Sequence, residues 1–191
     1  MLTPLQQIIE AVLLTAGEPV SRARLVEIMG EEIDAATLDE ALRGLAASYA
    51  ERGFELVEVA SGLRLQARER FAPWIARLAP ERPARYSRAV LETLALIAWR
   101  QPITRAEIEA VRGVSVNTAI IRTLQERGWI AVVGKRETPG RPELFGTTRQ
   151  FLDDFNLNSL DALAGKVFPP DAPVGAGFAS FALDLGPRFD V

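Results

Sequence analysis

One short phrase is spelled twice in this chain. Residues 17–25 read Gly-Glu-Pro-Val-Ser-Arg-Ala-Arg-Leu, and residues 100–108 read Arg-Gln-Pro-Ile-Thr-Arg-Ala-Glu-Ile. Each follows an apolar, helix-like run, 8–16 in the first case and 90–99 in the second. Further on, Glu51-Arg52-Gly53-Phe54 is answered by Glu126-Arg127-Gly128-Trp129. Two echoes in the same order, between similar neighbours, argue for one small fold used in tandem. A length of 191 residues accommodates two such domains, each of about 75–85 residues. The apolar share of 48% suffices to fill two modest cores.

In the first half, Thr3-Pro4 forms a helix start, a hydroxyl N-cap followed by proline at the first helical position. Leu5, Ile8, Ile9, Val12 and Leu13 then recur at helical spacing. Gly17-Glu18-Pro19 stops that helix, and Ser21 caps a second with Leu25, Ile28 and Met29 on its buried side. Thr37 with Glu40 is a capping-box pattern for a third helix reaching about Tyr49. After Gly53 the period changes to alternation: Phe54, Leu56, Val59, a turn at Ser61-Gly62, then Leu63 and Leu65. Three helices followed by a hairpin is a winged helix.

The second half repeats the order. Ser87 caps a helix through Trp99, Gln101-Pro102 ends it, and Thr104 with Glu107 makes a second capping box. Gly113 closes that helix, and a third runs from about Ser115 or Asn117 to Arg127. Trp129, Ala131 and Val133 lead into a strand, Pro139-Gly140 turns, and 144–148 returns, giving a longer wing. A helix with Phe151, Leu152 and Phe155 follows, then a short one around 159–163. The expected fold is mainly α with small β-hairpin wings, two winged helices in tandem. The expected boundaries are 1–79, a linker over 80–86 marked by Pro80-Glu81-Arg82-Pro83, 87–165, and a tail over 166–191. The tail is rich in proline and glycine, without periodicity, and is expected to be mostly extended or disordered. Its Phe178, Phe181 and Leu183 stand out as residues that could dock on a partner or on the body.

The chain has no cysteine and no histidine. That removes disulfides, thiol nucleophiles, Cys/His zinc sites and histidine acid–base chemistry. No nucleophile–base–orienter set is discernible, adjacent acids such as Asp153-Asp154 diverge on a helix, and Gly134-Lys135 and Gly140-Arg141 lack phosphate-loop spacing. An enzyme is not expected, nor a cofactor or metal. No apolar run is long enough for a membrane span, and Met1-Leu2-Thr3-Pro4 is unlike a signal peptide, so a soluble cytoplasmic protein is expected.

A winged helix raises DNA as a partner. Net charge is −3, with eight basic against twelve acidic residues over 1–79 and twelve against ten over 80–165. Neither half has the dense positive face of a phosphate binder. The helix over 37–49 sets Arg43 against Asp39 and Glu40, and the one over 115–127 carries Arg122 and Arg127 with Glu126. Only Lys135, Arg136 and Arg141 on the second wing make a plausible cluster, and Lys135 and Arg136 are the candidates for a weak DNA contact. Protein binding through wings and apolar helix faces is favoured, with a DNA-binding regulator as the alternative. Leu5, Ile9, Leu13, Trp74 and Ile75 are first-half residues that could exceed the needs of one core.

The run from Leu91 to Ile108 resembles the signature of the segregation and condensation protein B family. So do Val111-Arg112-Gly113-Val114, Leu124 to Gly128, Pro139-Gly140-Arg141-Pro142, Phe145-Gly146-Thr147-Thr148, Leu157-Asn158-Ser159-Leu160 and the opening Ala11 to Ser21. Trp99 and Phe145 stand where the family pattern has tyrosines. The resemblance implies a non-enzymatic subunit of the bacterial SMC complex for chromosome condensation and segregation, associated with the nucleoid through that complex. It implies a homodimer formed by the first winged helix, where Leu5, Ile9 and Leu13 are the candidates. It implies that the second grips the kleisin ScpA, and through it the SMC ATPase, with Arg105, Arg112, Arg141, Pro142 and Phe145 as candidate contacts.

Overall fold

The computed structural model describes residues 2–30, 33–78 and 86–167, with only the helical backbone given for 164–167. The chain divides into two compact units, Met1–Arg82 and Pro83–Val191. Each is a winged helix. The expected linker and tail fall outside the described residues, apart from Tyr86, Lys166 and Val167.

The first unit begins with α1 (Pro4–Thr15), α2 (Arg22–Met29) and α3 (Ala35–Ser48). Thr3 and Gln6 cap α1 reciprocally: the Gln6 amide donates to Thr3 Oγ1 at 3.3 Å and the Thr3 amide to Gln6 Oε1 at 2.9 Å. Ser21 caps α2 as its spacing predicts. The cap of α3 is Asp34, not Thr37: the carboxylate accepts Thr37's own N–H at 2.7 Å, so the helix opens three residues early. Ile9, Leu13, Leu25, Leu38, Leu42, Leu45 and Tyr49 form the core. α2 buries only Leu25, and Ile28, expected inside, is 44% exposed. The helix turns one narrow stripe inward, with half-buried Val26 and Met29 packed against it.

The first wing is β1 (Phe54–Val59) paired antiparallel with β2 (Gly62–Ala67), followed by a 3-10 turn and the short α4 (Ala72–Ile75). Val59 faces Gly62, so the turn is Ala60-Ser61 rather than Ser61-Gly62. Gly62 serves a different need. Val20 and Leu63 exchange amide hydrogen bonds at 2.9 Å, and a Cβ on Gly62 would lie 2.3 Å from the Val20 carbonyl oxygen. Its φ of +149° is also one that side chains avoid.

The second unit repeats this plan with a fuller sheet. It contains α5 (Arg88–Arg100), β3 (Ile103–Thr104), α6 (Arg105–Arg112), α7 (Thr118–Glu126), β4 (Ile130–Lys135), β5 (Glu143–Thr147), α8 (Arg149–Asp154) and α9 (Leu160–Val167). Ser87 and Thr104 cap their helices as the sequence predicts, Asn117 rather than Ser115 caps α7, Thr148 caps α8, and Gly113 ends α6 in the left-handed conformation. Strand order is β3-β5-β4, all antiparallel. The two-residue β3 was not expected from the sequence. It is the counterpart of the Val20–Leu63 bridge, since Pro19-Val20-Ser21 and Pro102-Ile103-Thr104 hold equivalent places in the repeat. Gln101 ties the end of α5 to the sheet: its Oε1 accepts the Thr147 amide at 2.6 Å and its Nε2 donates to Thr147 Oγ1 at 2.9 Å. Trp129 is buried, donates its indole N–H to Asp154 Oδ2 at 2.7 Å, and packs against Tyr86 and Phe155.

Candidate protein-binding site

The second wing is built outward from the capping box of α6. Glu107 Oε2 accepts the Thr104 amide and hydroxyl, each at 2.8 Å, and Arg136 Nη2 donates to both Glu107 oxygens at 2.7 and 2.8 Å. The bonds from the Thr104 amide and hydroxyl, and then Arg136, hold the Glu107 carboxyl below the ordinary carboxylate range. The Arg136 amide donates to the Pro142 carbonyl at 2.9 Å, closing the loop between β4 and β5. One carboxylate therefore joins the N-terminus of α6 to the root of the wing tip. Beyond it, the Arg141 amide donates to the Thr138 carbonyl at 2.8 Å, and Gly140 and Arg141 take positive φ.

This frame sorts the sequence candidates. Arg141 is exposed at the tip, with one contact to Glu137 at 3.1 Å, and half-buried Pro142 adjoins it. Lys135 is exposed on the same wing. Arg136 is engaged by Glu107, so its charge is neutralised within the unit. Arg105 holds the turn between α6 and α7: it reaches Glu109 at 3.2 Å, Thr118 Oγ1 at 3.0 Å and the Val116 carbonyl. Glu109 also accepts the Val116 amide at 2.9 Å; that bond, then Arg105, lowers its carboxyl's pKa. Arg112 lies inside, 12% exposed, donating to Thr93 Oγ1 and Glu92 and so joining α6 to α5. Phe145 is 5% exposed in the sheet, opposite Ile103 and Val132. Lys135, Arg141 and Pro142 thus lie on the second wing, Arg112 and Phe145 are interior, and Arg105 is a half-exposed brace between α6 and α7.

In the first unit, Ile9 and Leu13 are core residues and Leu5 packs half-buried against them. The outward stripe of α1 is Ile8, Ala11 and Leu14, all exposed, and no charged side chain lies on it. Glu10 is turned away and accepts the Tyr49 hydroxyl at 2.8 Å. Sequence periodicity gave the apolar residues of α1 without telling which flank the core takes. Trp74 is 61% exposed, Ile75 half-buried, and Trp99 lies at the end of α5 under the Arg100 guanidinium.

The helix that would enter a DNA groove in the second unit is α7. Its exposed Arg122 is paired with Glu126 at 2.7 Å. Among the described residues no group of three acidic side chains could hold a metal ion, and no helix is long and apolar enough to cross a membrane.

The family described as segregation and condensation complex subunit ScpB matches residues 7–166. The chain belongs to this family. A segregation and condensation protein B homolog of Coxiella burnetii is 53% identical over 158 residues, covering 82% of this chain and 76% of that one. The ScpB of Syntrophotalea carbinolica is 44% identical, covering 83% and 80%. Among solved structures, ScpB from Mycobacterium tuberculosis is 37% identical, covers 78% of this chain and 92% of its own, and superposes with a TM-score of 0.37. A dimer of an ScpB N-terminal domain complexed with ScpA peptide is 26% identical, covers 43% and 95%, and gives a TM-score of 0.38.

Proposed function

We propose that this ScpB-family chain is a non-enzymatic adaptor in the cytoplasm. It pairs with a second copy through its first winged helix and holds the kleisin ScpA with its second. Through the kleisin it acts with the SMC ATPase in chromosome condensation and segregation, and so at the nucleoid. The observation that carries the binding reading is the state of the cations. Arg112 is buried against Glu92 and Arg136 is held by Glu107, whereas Lys135 and Arg141 stand exposed on the wing, Arg141 with only the exposed Glu137 as its ion-pair partner. A handful of fixed contacts suits a protein segment; a DNA backbone calls for many mobile charges. Arg141 presents a guanidinium fork that matches a carboxylate on the kleisin. For the dimer, the uncharged stripe Ile8, Ala11 and Leu14 is the contact, in place of the inward-facing Ile9 and Leu13.

The test is light scattering coupled to size exclusion, with and without the ScpA of the same genome. The adaptor reading expects a dimer that shifts to a larger stoichiometric complex and persists at physiological salt. Arg141→Glu is expected to weaken that complex by about tenfold or more. A chain that ignores ScpA but binds duplex DNA, with affinity falling steeply as salt rises, would establish the regulator reading instead.

A further inference from the structure

The outward stripe of α1 is too small to hold two copies together by itself. Ile8 and Leu14 are 50% and 72% exposed. With Ala11 they offer roughly 200 Å² of apolar surface, at the usual area of an aliphatic side chain. A stable dimer buries about 500 Å² or more of each copy. The contact therefore extends over further surface of the first unit.

The surface that can supply the rest is at α4. Helical hydrogen bonds continue past Ile75: the Ala76 amide donates to the Ala72 carbonyl at 2.9 Å, that of Arg77 to Trp74 at 3.1 Å and that of Leu78 to Ile75 at 2.9 Å. Phe71, Trp74 and Leu78 are three and four residues apart and so share one face of this turn. Half-buried Phe71 anchors it, its ring beside Gly53 and edge-on to Trp74 with 6.2 Å between centroids. Trp74 is 61% exposed and Leu78 84%, and neither belongs to the core of the first unit. Tryptophan is highly buried on average, and it is enriched at the centre of interfaces. Trp74 and Leu78 together offer roughly 250 Å² of apolar surface, which with the α1 stripe brings each copy close to what a dimer needs. The rim is polar: Arg70 lies over the Phe71 ring at 4.8 Å, and Glu69 and Arg77 are exposed. We infer that Trp74 and Leu78 are the second half of the contact between two copies of this chain and bury against the first unit of the partner. This inference rests on the dimer reading above. Under two-fold symmetry the contact is made twice, so both Trp74 side chains leave solvent when the dimer forms.

The test is equilibrium sedimentation of the full-length protein and of the full-length double variant Trp74→Ser, Leu78→Ser, with circular dichroism to check that both are folded. The Kd of the dimer should rise at least about tenfold in the variant. An unchanged Kd overturns the inference and leaves the dimer reading standing, whereas a wild type that stays monomeric overturns both. Fluorescence follows Trp74 without disturbing the contact, as the difference between wild type and Trp74→Phe, since the chain has two other tryptophans. That difference should move to shorter wavelength as the concentration rises through the Kd. Emission that is the same on both sides of the Kd overturns the inference, leaving the side chain in solvent or covered by its own chain. A shift that appears only when ScpA is added also overturns it, and assigns the stripe to the kleisin.

Discussion

Replacing Glu107 with alanine removes the joint between α6 and the second wing, and its cost can be worked from the contacts. Thr104 is 3% exposed, and its amide loses the acceptor at 2.8 Å. An unmet donor in that setting costs about 1–2 kcal/mol. The Arg136 pair is half in solvent, at 42% and 45% exposure, and contributes about 0.2–1 kcal/mol. Together these give about 2 kcal/mol, which for a domain of this size lowers the midpoint by about 10 °C. Glu107→Gln keeps an oxygen towards the Thr104 amide and loses the ion pair alone, so it should cost about 1 kcal/mol or less. Scanning calorimetry measures both. The reasoning fails if alanine costs under about 0.5 kcal/mol, or if glutamine costs as much as alanine, because then the cap is not the larger share.

Gly62→Ala forces a Cβ against the Val20 carbonyl and should destabilise the first unit by about 2 kcal/mol or more in urea unfolding. Wild-type stability would refute the close approach. Ile8→Glu with Leu14→Glu places charge on the outward stripe of α1. Light scattering should then show a monomer with unchanged circular dichroism, whereas an intact dimer would move the contact elsewhere. On acidification, the lowered carboxyls of Glu58 and Glu107 set the sign. Arg22 lowers Glu58 mainly through its hydrogen bond, and the Thr104 bonds lead at Glu107. Their contribution is full above the ordinary carboxylate range and is lost as pH falls through the depressed folded values. The urea midpoint should therefore fall below about pH 4, and a midpoint that rises there would contradict the pairings.

Local chemistry was readable. Thr3, Ser21, Ser87, Thr104 and Asn117 announce helix starts because a cap bonds two or three residues away, within the reach of sequence spacing. At α3 the spacing of Thr37 and Glu40 pointed to the wrong residue, because Asp34, three positions earlier, accepts the Thr37 amide and caps the helix. β3 escaped notice because two residues carry no period. Its identity rests on pairing with β5, some forty residues later. The candidate contacts divide along the same line. Family motifs pointed to Arg105, Arg112 and Arg141 alike, but only the fold tells that Arg112 meets Glu92 and Thr93 while Arg141 faces solvent. The outward stripe of α1, Ile8 and Leu14, is one residue, or about 100° around the helix, from the Ile9 and Leu13 chosen for it. Periodicity fixes the angles between side chains and leaves their common origin to tertiary packing.

α5 buries Val90, Leu91, Thr93, Leu94, Ala95, Leu96, Ile97 and Ala98, residues from all around its circumference. Such a helix has no neutral flank on which substitutions can accumulate. In a saturation scan of this protein, α5 would stand out as an almost unbroken block of intolerance, and α7, which buries only Ile121 and Leu124, as a comb with helical teeth. Substitutions can therefore accumulate on the exposed faces of α7 and the wing, while α5 stays nearly fixed.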